Sequence, residues 1–311
     1  MSNHWWQRPE GGGRFGLWLI FTIARVCGRP LTRLILYPVT LYFYLRRGHE
    51  RQATRVLLAR FGLPNGTWSI MAHMHRFAST LLDRVFFLAR GEHGFAISVD
   101  GLDELKAVLD HGRGVLLLGA HMGSFEVLRA LASRHPDAPA LRIVLNTQQT
   151  PVLTRLLGSL APDVAAAIID AAQDPVSVVL AVSEALEQGH PVALLADRGH
   201  PGESMRHIPF CGLPAPFPTG PWILAARTEV PVVLCLGLYQ GGNHYQVIFE
   251  PFADTVSLPR AEREHALEAV MTRYAARLEH YARQVPCNWF NFYDFWDEDA
   301  DAGKALGTRG L

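Results

Sequence analysis

The residues best placed to do chemistry lie where a strong apolar run stops. Val115-Leu-Leu-Leu-Gly-Ala120 leads directly into His121-Met-Gly-Ser-Phe-Glu126, and a helical pattern continues through Val127, Leu128, Ala130 and Leu131. A histidine at a strand tip faces the crevice where open α/β sheets gather their ligands. Glu126 lies five positions on, so it meets His121 only if the histidine precedes the helix proper, a condition that a strand-to-helix junction satisfies. Glu126 is then expected to hold one imidazole nitrogen while the other accepts a proton from a substrate hydroxyl. Gly123 allows close backbone approach, and the first N–H groups of the helix offer a place for developing negative charge. The competing structural account is a strand-capping histidine beside a glutamate that complements a helix dipole. Asp197-Arg198 stand just beyond a second apolar run, Val192 to Ala196. From there Arg198 reaches the same crevice, to pair with a phosphate or an oxyanion, or simply with Asp197. Thr219 follows Pro218 and reads as the N-cap of a helix rather than as a catalytic hydroxyl.

These residues need a sheet to position them. Beyond residue 94 seven short apolar runs read as strands: Phe95 to Val99, Val115 to Ala120, Leu141 to Leu145, Ala165 to Ile169, Val192 to Ala196, Val230 to Leu238 and Tyr245 to Glu250. The intervening stretches 101–111, 124–135, 151–160, 174–188 and 219–228 are long enough for crossover helices. The fold class is therefore α/β, a mostly parallel sheet flanked by helices, with the last two strands an antiparallel hairpin across 240–243. A closing helix is expected from Pro259 to Gln284, with further helices over 49–61 and 68–90.

The H-x-x-x-x-E box of His121 and Glu126, preceded by Leu-Gly-Ala, resembles the signature of the lipid A biosynthesis (late) acyltransferases, relatives of the glycerol-phosphate acyltransferase superfamily. A second stretch is similar in order and spacing: Asp197-Arg-Gly, Ile208-Pro-Phe-Cys-Gly-Leu-Pro-Ala215 and Pro218-Thr-Gly-Pro221. With an Arg-rich apolar N-terminus the likeness covers residues 14 to about 296. It implies a glycerol-phosphate-acyltransferase-like fold and transfer of a fatty acyl group from an acyl carrier protein thioester to a hydroxyl of a membrane glycolipid. The implied place is the cytoplasmic face of a bacterial inner membrane, and no metal or cofactor is implied. His121 and Glu126 become the catalytic pair, and Arg198, Gly123, Ser124, Asp197 and Thr219 the substrate-binding residues. Two departures bear on the acceptor. Leu145-Asn-Thr-Gln-Gln149 is neutral where many relatives carry arginine, and Trp289-Phe-Asn-Phe-Tyr-Asp-Phe-Trp296 is aromatic and acidic where they carry basic residues. Lipid A, an aryl polyene lipid or another envelope lipid all remain acceptors in view. The aromatic stretch is expected to pack on the sheet rather than line an acyl tunnel.

The N-terminal third carries the expected membrane contact. Ten arginines stand against Glu10 and Glu50 in the first 60 residues, although the whole chain is neutral. Arg25, Arg29 and Arg33 recur every four residues within the apolar stretch Phe15 to Leu45, stacking on one helical face. The uninterrupted run is too short for a bilayer span, so an interfacial anchor is expected, its apolar side in acyl chains and its arginines on anionic headgroups. Pro30 and Pro38 should break or kink it. The division is then 1–62, a membrane-associating helical segment; 63–296, an α/β acyltransferase domain; and 297–311, a disordered tail.

Several other functions are disfavoured. Charged residues are only 19% of the chain, which excludes a nucleic-acid-binding arm. Gly11 to Gly16 matches G-x-G-x-x-G but follows no buried strand, and no G-x-S-x-G occurs. The four cysteines form no C-x-x-C pair, and Cys211 has no electropositive partner in sequence to make it a nucleophile. His73-x-His75 would point to different faces of a helix, so one packed and one exposed ring is preferred to a metal site. Two rivals survive: a thioesterase or lipid hydrolase using the same dyad on water, and a non-catalytic lipid-binding scaffold.

Overall fold

The computed structural model describes residues 14–132, 139–148, 165–199 and 202–296, and of 14–27 and 90 only the backbone. The expected helix at 151–160, the glycines 11–13 and the tail from 297 lie outside the described residues.

Three helices come first: α1 (Arg14–Arg46), α2 (Gly48–Arg60) and α3 (Thr67–Arg90). An α/β unit follows, with β1 (Ala96–Asp100), α4 (Leu102–Leu109), β2 (Leu116–Gly119), α5 (Glu126–Ala132), β3 (Arg142–Leu145), β4 (Ile168–Asp170), α6 (Pro175–Glu187) and β5 (Val192–Leu195). Then come β6 (Met205–Phe210), β7 (Leu213–Pro218), α7 (Gly220–Thr228), β8 (Val232–Gly241), β9 (His244–Ala253) and α8 (Arg263–Gln284). All seven expected strands join one sheet in the order β1-β9-β8-β2-β5-β3-β4, parallel at every pairing except the β8/β9 hairpin.

β2 lies in the middle, and all four of its residues are buried. A strand covered on both faces must be apolar throughout, which is why Leu116, Leu117 and Leu118 run without interruption. Successive residues point to opposite faces. Leu116 and Leu118 join a core built with Val182, Trp222, Met271 and Tyr274, from α6, α7 and α8. Val115 and Leu117 join a core with Phe87, Leu105, Leu128 and Leu131, from α3, α4 and α5.

The antiparallel ribbon β6/β7 is an element the sequence reading leaves as loop. Pro209, Pro214, Pro216 and Pro218 obscure it, since a two-stranded ribbon tolerates prolines that a central strand does not.

The N-terminal helices correct one expectation about the arginines. α1 breaks at Gly28, which has φ 70° and ψ 177°, and resumes through Pro30 and Pro38 without a second break. Arg29 turns inward and donates two bonds to the buried Asp83, at 2.7 and 2.8 Å. Arg33 donates to Tyr239 Oη at 2.5 Å, and both guanidiniums donate to the Gly242 carbonyl in the hairpin turn. Tyr245 donates to the same Asp83 at 2.8 Å. Arg29 and Arg33 therefore bind protein, because an enclosed carboxylate attracts them more strongly than solvent-exposed anions do. The side chain of Arg25 lies outside the described set. Between residues 31 and 45 α1 presents apolar side chains outward: Leu31, Leu34, Tyr37, Leu41, Tyr42 and Leu45 are exposed at helical spacing. Leu36 on the opposite side packs with Leu82 and Phe86 of α3. Leu57 and Phe61, at the end of the second helix, are part of the main core around β2. Among the described residues no helix is long and apolar enough to cross a membrane.

Candidate active site

The site grows out of the register between β2 and β5. These strands pair from Leu116 opposite Val192 to Gly119 opposite Leu195, and the Ala196 N–H adds a rung to the Gly119 carbonyl at 3.0 Å. Carried two residues further, the same register sets His121 opposite Asp197. There the ladder changes character, and a side chain replaces backbone. The His121 N–H lies 3.1 Å from both Asp197 carboxylate oxygens, and His121 Nδ1 lies 2.8 Å from Asp197 Oδ1.

Asp197 has no exposed side-chain surface, whereas His121 keeps 39% of its own. With Nδ1 turned to an enclosed carboxylate, the open edge of the ring is the one carrying Nε2. Burial works to raise the Asp197 pKa, but the His121 interaction, the Arg198 guanidinium and a hydrogen bond from the Trp289 indole outweigh it and hold the group ionised. Burial lowers the His121 pKa from its ordinary 6.5, opposed by Asp197 and aided by Arg198 and Arg84. The imidazole is therefore neutral near pH 7, with Nδ1 carrying the proton toward Asp197 and Nε2 free to accept one.

Glu126 does not hold the imidazole. At the start of α5 it accepts from Ser124 Oγ at 3.0 Å and pairs with Arg84 of α3 at 2.5 Å. His121 precedes the helix as expected, but the ladder register gives its Nδ1 to the neighbouring strand before Glu126 can reach it. Ser124, placed among the substrate-binding residues by resemblance, is buried and spends its hydroxyl on Glu126.

Gly123 makes the close approach its residue type suggested, though to the protein itself. It adopts φ 67°, and a Cβ there would stand 1.9 Å from the Gly237 carbonyl oxygen of β8. Ser124 N–H donates to that same oxygen at 2.8 Å. Only glycine permits this contact, which fixes the turn after His121 against the sheet.

Arg198 is 10% exposed, stands 3.6 Å from Asp197, donates to the Phe290 carbonyl and lies over the Tyr293 ring at 5.5 Å. Of the two accounts left open for it, this geometry matches the internal one. Thr219 occupies the position before α7 but makes no capping bond. Its hydroxyl donates to the Ser204 carbonyl at 3.1 Å, because its helical backbone angles turn Oγ1 away from the first N–H groups. Thr147, in the neutral loop after β3, bonds Asp170 through N–H and hydroxyl at 3.1 and 2.7 Å.

The contribution that sequence reasoning missed comes from the segment after α8. Residues 288–290 run antiparallel to the box: Gly123 N–H donates to the Asn288 carbonyl and Phe290 N–H to the His121 carbonyl, each at 2.9 Å. The Trp289 indole donates to Asp197 Oδ2 at 2.9 Å. Trp289, Phe290, Phe295 and Trp296 are buried, so the aromatic stretch packs as a wall behind the site. A signal existed in the tip position of Asp197, one residue past an apolar run like His121. Strand order alone could not supply the pairing, since β5 enters the sheet beside β2, ahead of β3 and β4.

The family model for bacterial lipid A biosynthesis acyltransferases matches residues 24–297, which spans the box, Asp197 and the aromatic segment. The chain belongs to that family. No curated protein matches the sequence. Membership makes this an acyltransferase of the lipid A type, acting on a lipid acceptor. For such an acyltransferase, the other candidate groups fall away from the chemistry. Burial and the nearby Glu279 push the Cys211 thiol up to about 12, which suppresses the thiolate. His73 is fully buried against Phe290 and Phe292, and His75 stacks on Tyr37 at 4.4 Å. Among the described residues no cluster of three or more His, Cys, Asp or Glu is arranged to hold a metal.

Proposed function

We propose that this acyltransferase moves a fatty acyl group from an acyl carrier protein thioester to a hydroxyl of a membrane glycolipid, lipid A-like or another envelope lipid such as an aryl polyene lipid. The observation that carries the reading is the neutral His121 imidazole, tied through Nδ1 to an ionised, enclosed Asp197 and open at Nε2. Nε2 removes the proton of the acceptor hydroxyl as its oxygen bonds to the thioester carbonyl carbon. When the tetrahedral intermediate collapses the C–S bond breaks, and the imidazolium returns the proton to the departing thiolate. General-base assistance of this kind contributes about 10² to 10⁴ in rate. Asp197 supplies tautomer and orientation. Glu126 keeps a supporting part in the same box, through Ser124 and Arg84, which hold the turn between His121 and α5.

The lipid acceptor enters from the membrane side, and the outward face of α1 supports a peripheral position on the cytoplasmic leaflet of the inner membrane. Leu34, Tyr37, Leu41 and Leu45 supply the apolar contact of an interfacial helix. Substituting Leu34→Glu and Leu41→Glu should move the protein from the pellet to the supernatant in sedimentation with anionic vesicles.

The reaction is tested by incubating the detergent-solubilised protein with acyl carrier protein thioester, with and without a bacterial membrane lipid extract. Mass spectrometry then follows acylated lipid and free fatty acid. Lipid-dependent acylated product supports the transfer. Lipid-independent free acid makes the protein a thioesterase instead, and no turnover from any carrier thioester removes the donor assignment.

A further inference from the structure

We infer that Trp289 is a positioning residue for the His121–Asp197 pair, its indole N–H fixing the carboxylate plane and drawing off part of its charge. The inference rests on the general-base reading above and adds to it a group that touches neither substrate nor reacting atoms.

A carboxylate aligned by one histidine alone can rotate about its Cβ–Cγ bond. Besides the His121 N–H that both Asp197 oxygens share at 3.1 Å, each has a side-chain donor of its own: Oδ1 faces His121 Nδ1 at 2.8 Å, and Oδ2 faces Trp289 Nε1 at 2.9 Å. The indole is itself immobile. Trp289 is 2% exposed, and its ring meets Phe210 at 5.1 Å and Phe295 at 4.9 Å, both nearly edge-on. Its backbone is anchored on both sides by the bonds from Gly123 to Asn288 and from Phe290 to His121. The fully buried Asn288 side chain extends the anchor to the sheet, accepting from Tyr239 N–H at 2.7 Å and donating to the Tyr239 carbonyl at 2.9 Å. The residue type also matters. Indole is a donor that neither ionises nor accepts. It steadies the anion without adding to the charge of Arg198, which already stands 3.6 Å from the same Oδ2 and, with Arg84, acts to lower the His121 pKa.

The electrostatic consequence has a definite sign. A carboxylate that loses one donor carries more of its charge toward His121 and stabilises the imidazolium. Removing the N–H should therefore raise the His121 pKa, so that less of the base is free at a given pH below neutrality.

The test uses the full-length protein and Trp289→Phe, which keeps an aromatic ring and deletes the donor. The pH dependence of His121 carbethoxylation by diethyl pyrocarbonate, read by peptide mass spectrometry, reports the imidazole without any substrate. The expected result is an apparent pKa higher by about half a unit to one unit. With acyl carrier protein thioester and lipid extract, kcat should fall about tenfold or more while KM for the thioester stays within about threefold. In an Asp197→Asn background the same substitution should leave the His121 pKa unchanged, since the indole acts through the carboxylate. If Trp289→Phe is poorly folded by circular dichroism, incorporation of benzothienylalanine keeps the bicycle, removes the N–H and gives the same readouts. An unshifted His121 pKa, or an equal shift in the Asp197→Asn background, overturns the proposal. Failure of the general-base reading is seen separately, as full activity of His121→Ala.

Discussion

Among the described residues two carboxylates, Asp83 and Asp197, have no exposed surface, and they do opposite work. Asp83 sits between α1, α3 and the β8/β9 hairpin, held by Arg29, Arg33 at 4.0 Å and Tyr245. Asp197 sits at the tip of β5, held by His121, Trp289 and Arg198. Burial is the same, and the partners differ. Guanidinium keeps its proton at every accessible pH, so Asp83 can only fasten α1 to the rest of the molecule. Imidazole exchanges its proton near neutrality, so Asp197 can pass its influence to a reacting group. Within one fold, the chemistry of the partner, rather than the depth of the acid, separates a fastening from a site.

The comparison is broken most directly at His121. His121→Ala should abolish measurable acyl transfer, a loss of about 10² to 10⁴ or more, with the fold retained at a cost of about 1–3 kcal/mol, because Trp289, Arg198 and the residue-121 N–H still hold Asp197. Asp197→Asn should follow with a loss of up to about 10⁴ in kcat, because the amide holds the wrong imidazole tautomer. Its acid limb should move to lower pH, since removing the anion lowers the His121 pKa further; a limb that moves upward would contradict the pairing. In the native protein that limb should already lie below pH 6.5, because burial dominates the His121 shift. Arg29→Ala should behave in the opposite sense, costing about 3 kcal/mol in chemical denaturation by stranding the Asp83 charge. The fraction that remains folded should keep its kcat. If Arg29→Ala instead lowers kcat with no loss of stability, the two acids are not separate in role.

An effect on stability with no counterpart in activity comes from a buried imidazole that has no carboxylate. His73 is held to a pKa of about 3 by burial and then by Arg76. The folded form thus binds fewer protons than the unfolded chain below pH 6.5, and stability falls as pH falls. The slope approaches about 1.4 kcal/mol per pH unit and continues down toward the folded pKa. His73→Phe should flatten the loss between pH 6 and 4 in urea titrations while leaving the acid limb of activity in place.

Much of the sheet was legible because apolar runs of four to six residues have few alternatives once helices separate them. Val115 to Ala120 announces a central strand by lacking any polar face. His121 was legible as well, through its place at the end of that run. Its partner was not, because the relevant neighbour is 76 residues away and becomes adjacent only through the crossover that inserts β5 beside β2. Glu126 was the near choice in sequence and is a neighbour in space, but its carboxylate is taken by Arg84, whose arrival from α3 no local spacing records. Trp289 was hidden for a further reason. Its segment makes a single bridge to Met122 rather than a strand, so it leaves no alternating pattern to find. The arginines of α1 show how periodicity can be right about a face and silent about what the face meets: 29 and 33 do share a side, and that side looks inward.

The indole that meets Asp197 arrives from position 289, long after the box and the second region have been synthesised. Acid and imidazole are thus both made at least 92 residues before the indole that completes their alignment. The site reaches its final geometry only when this last aromatic segment docks against the box.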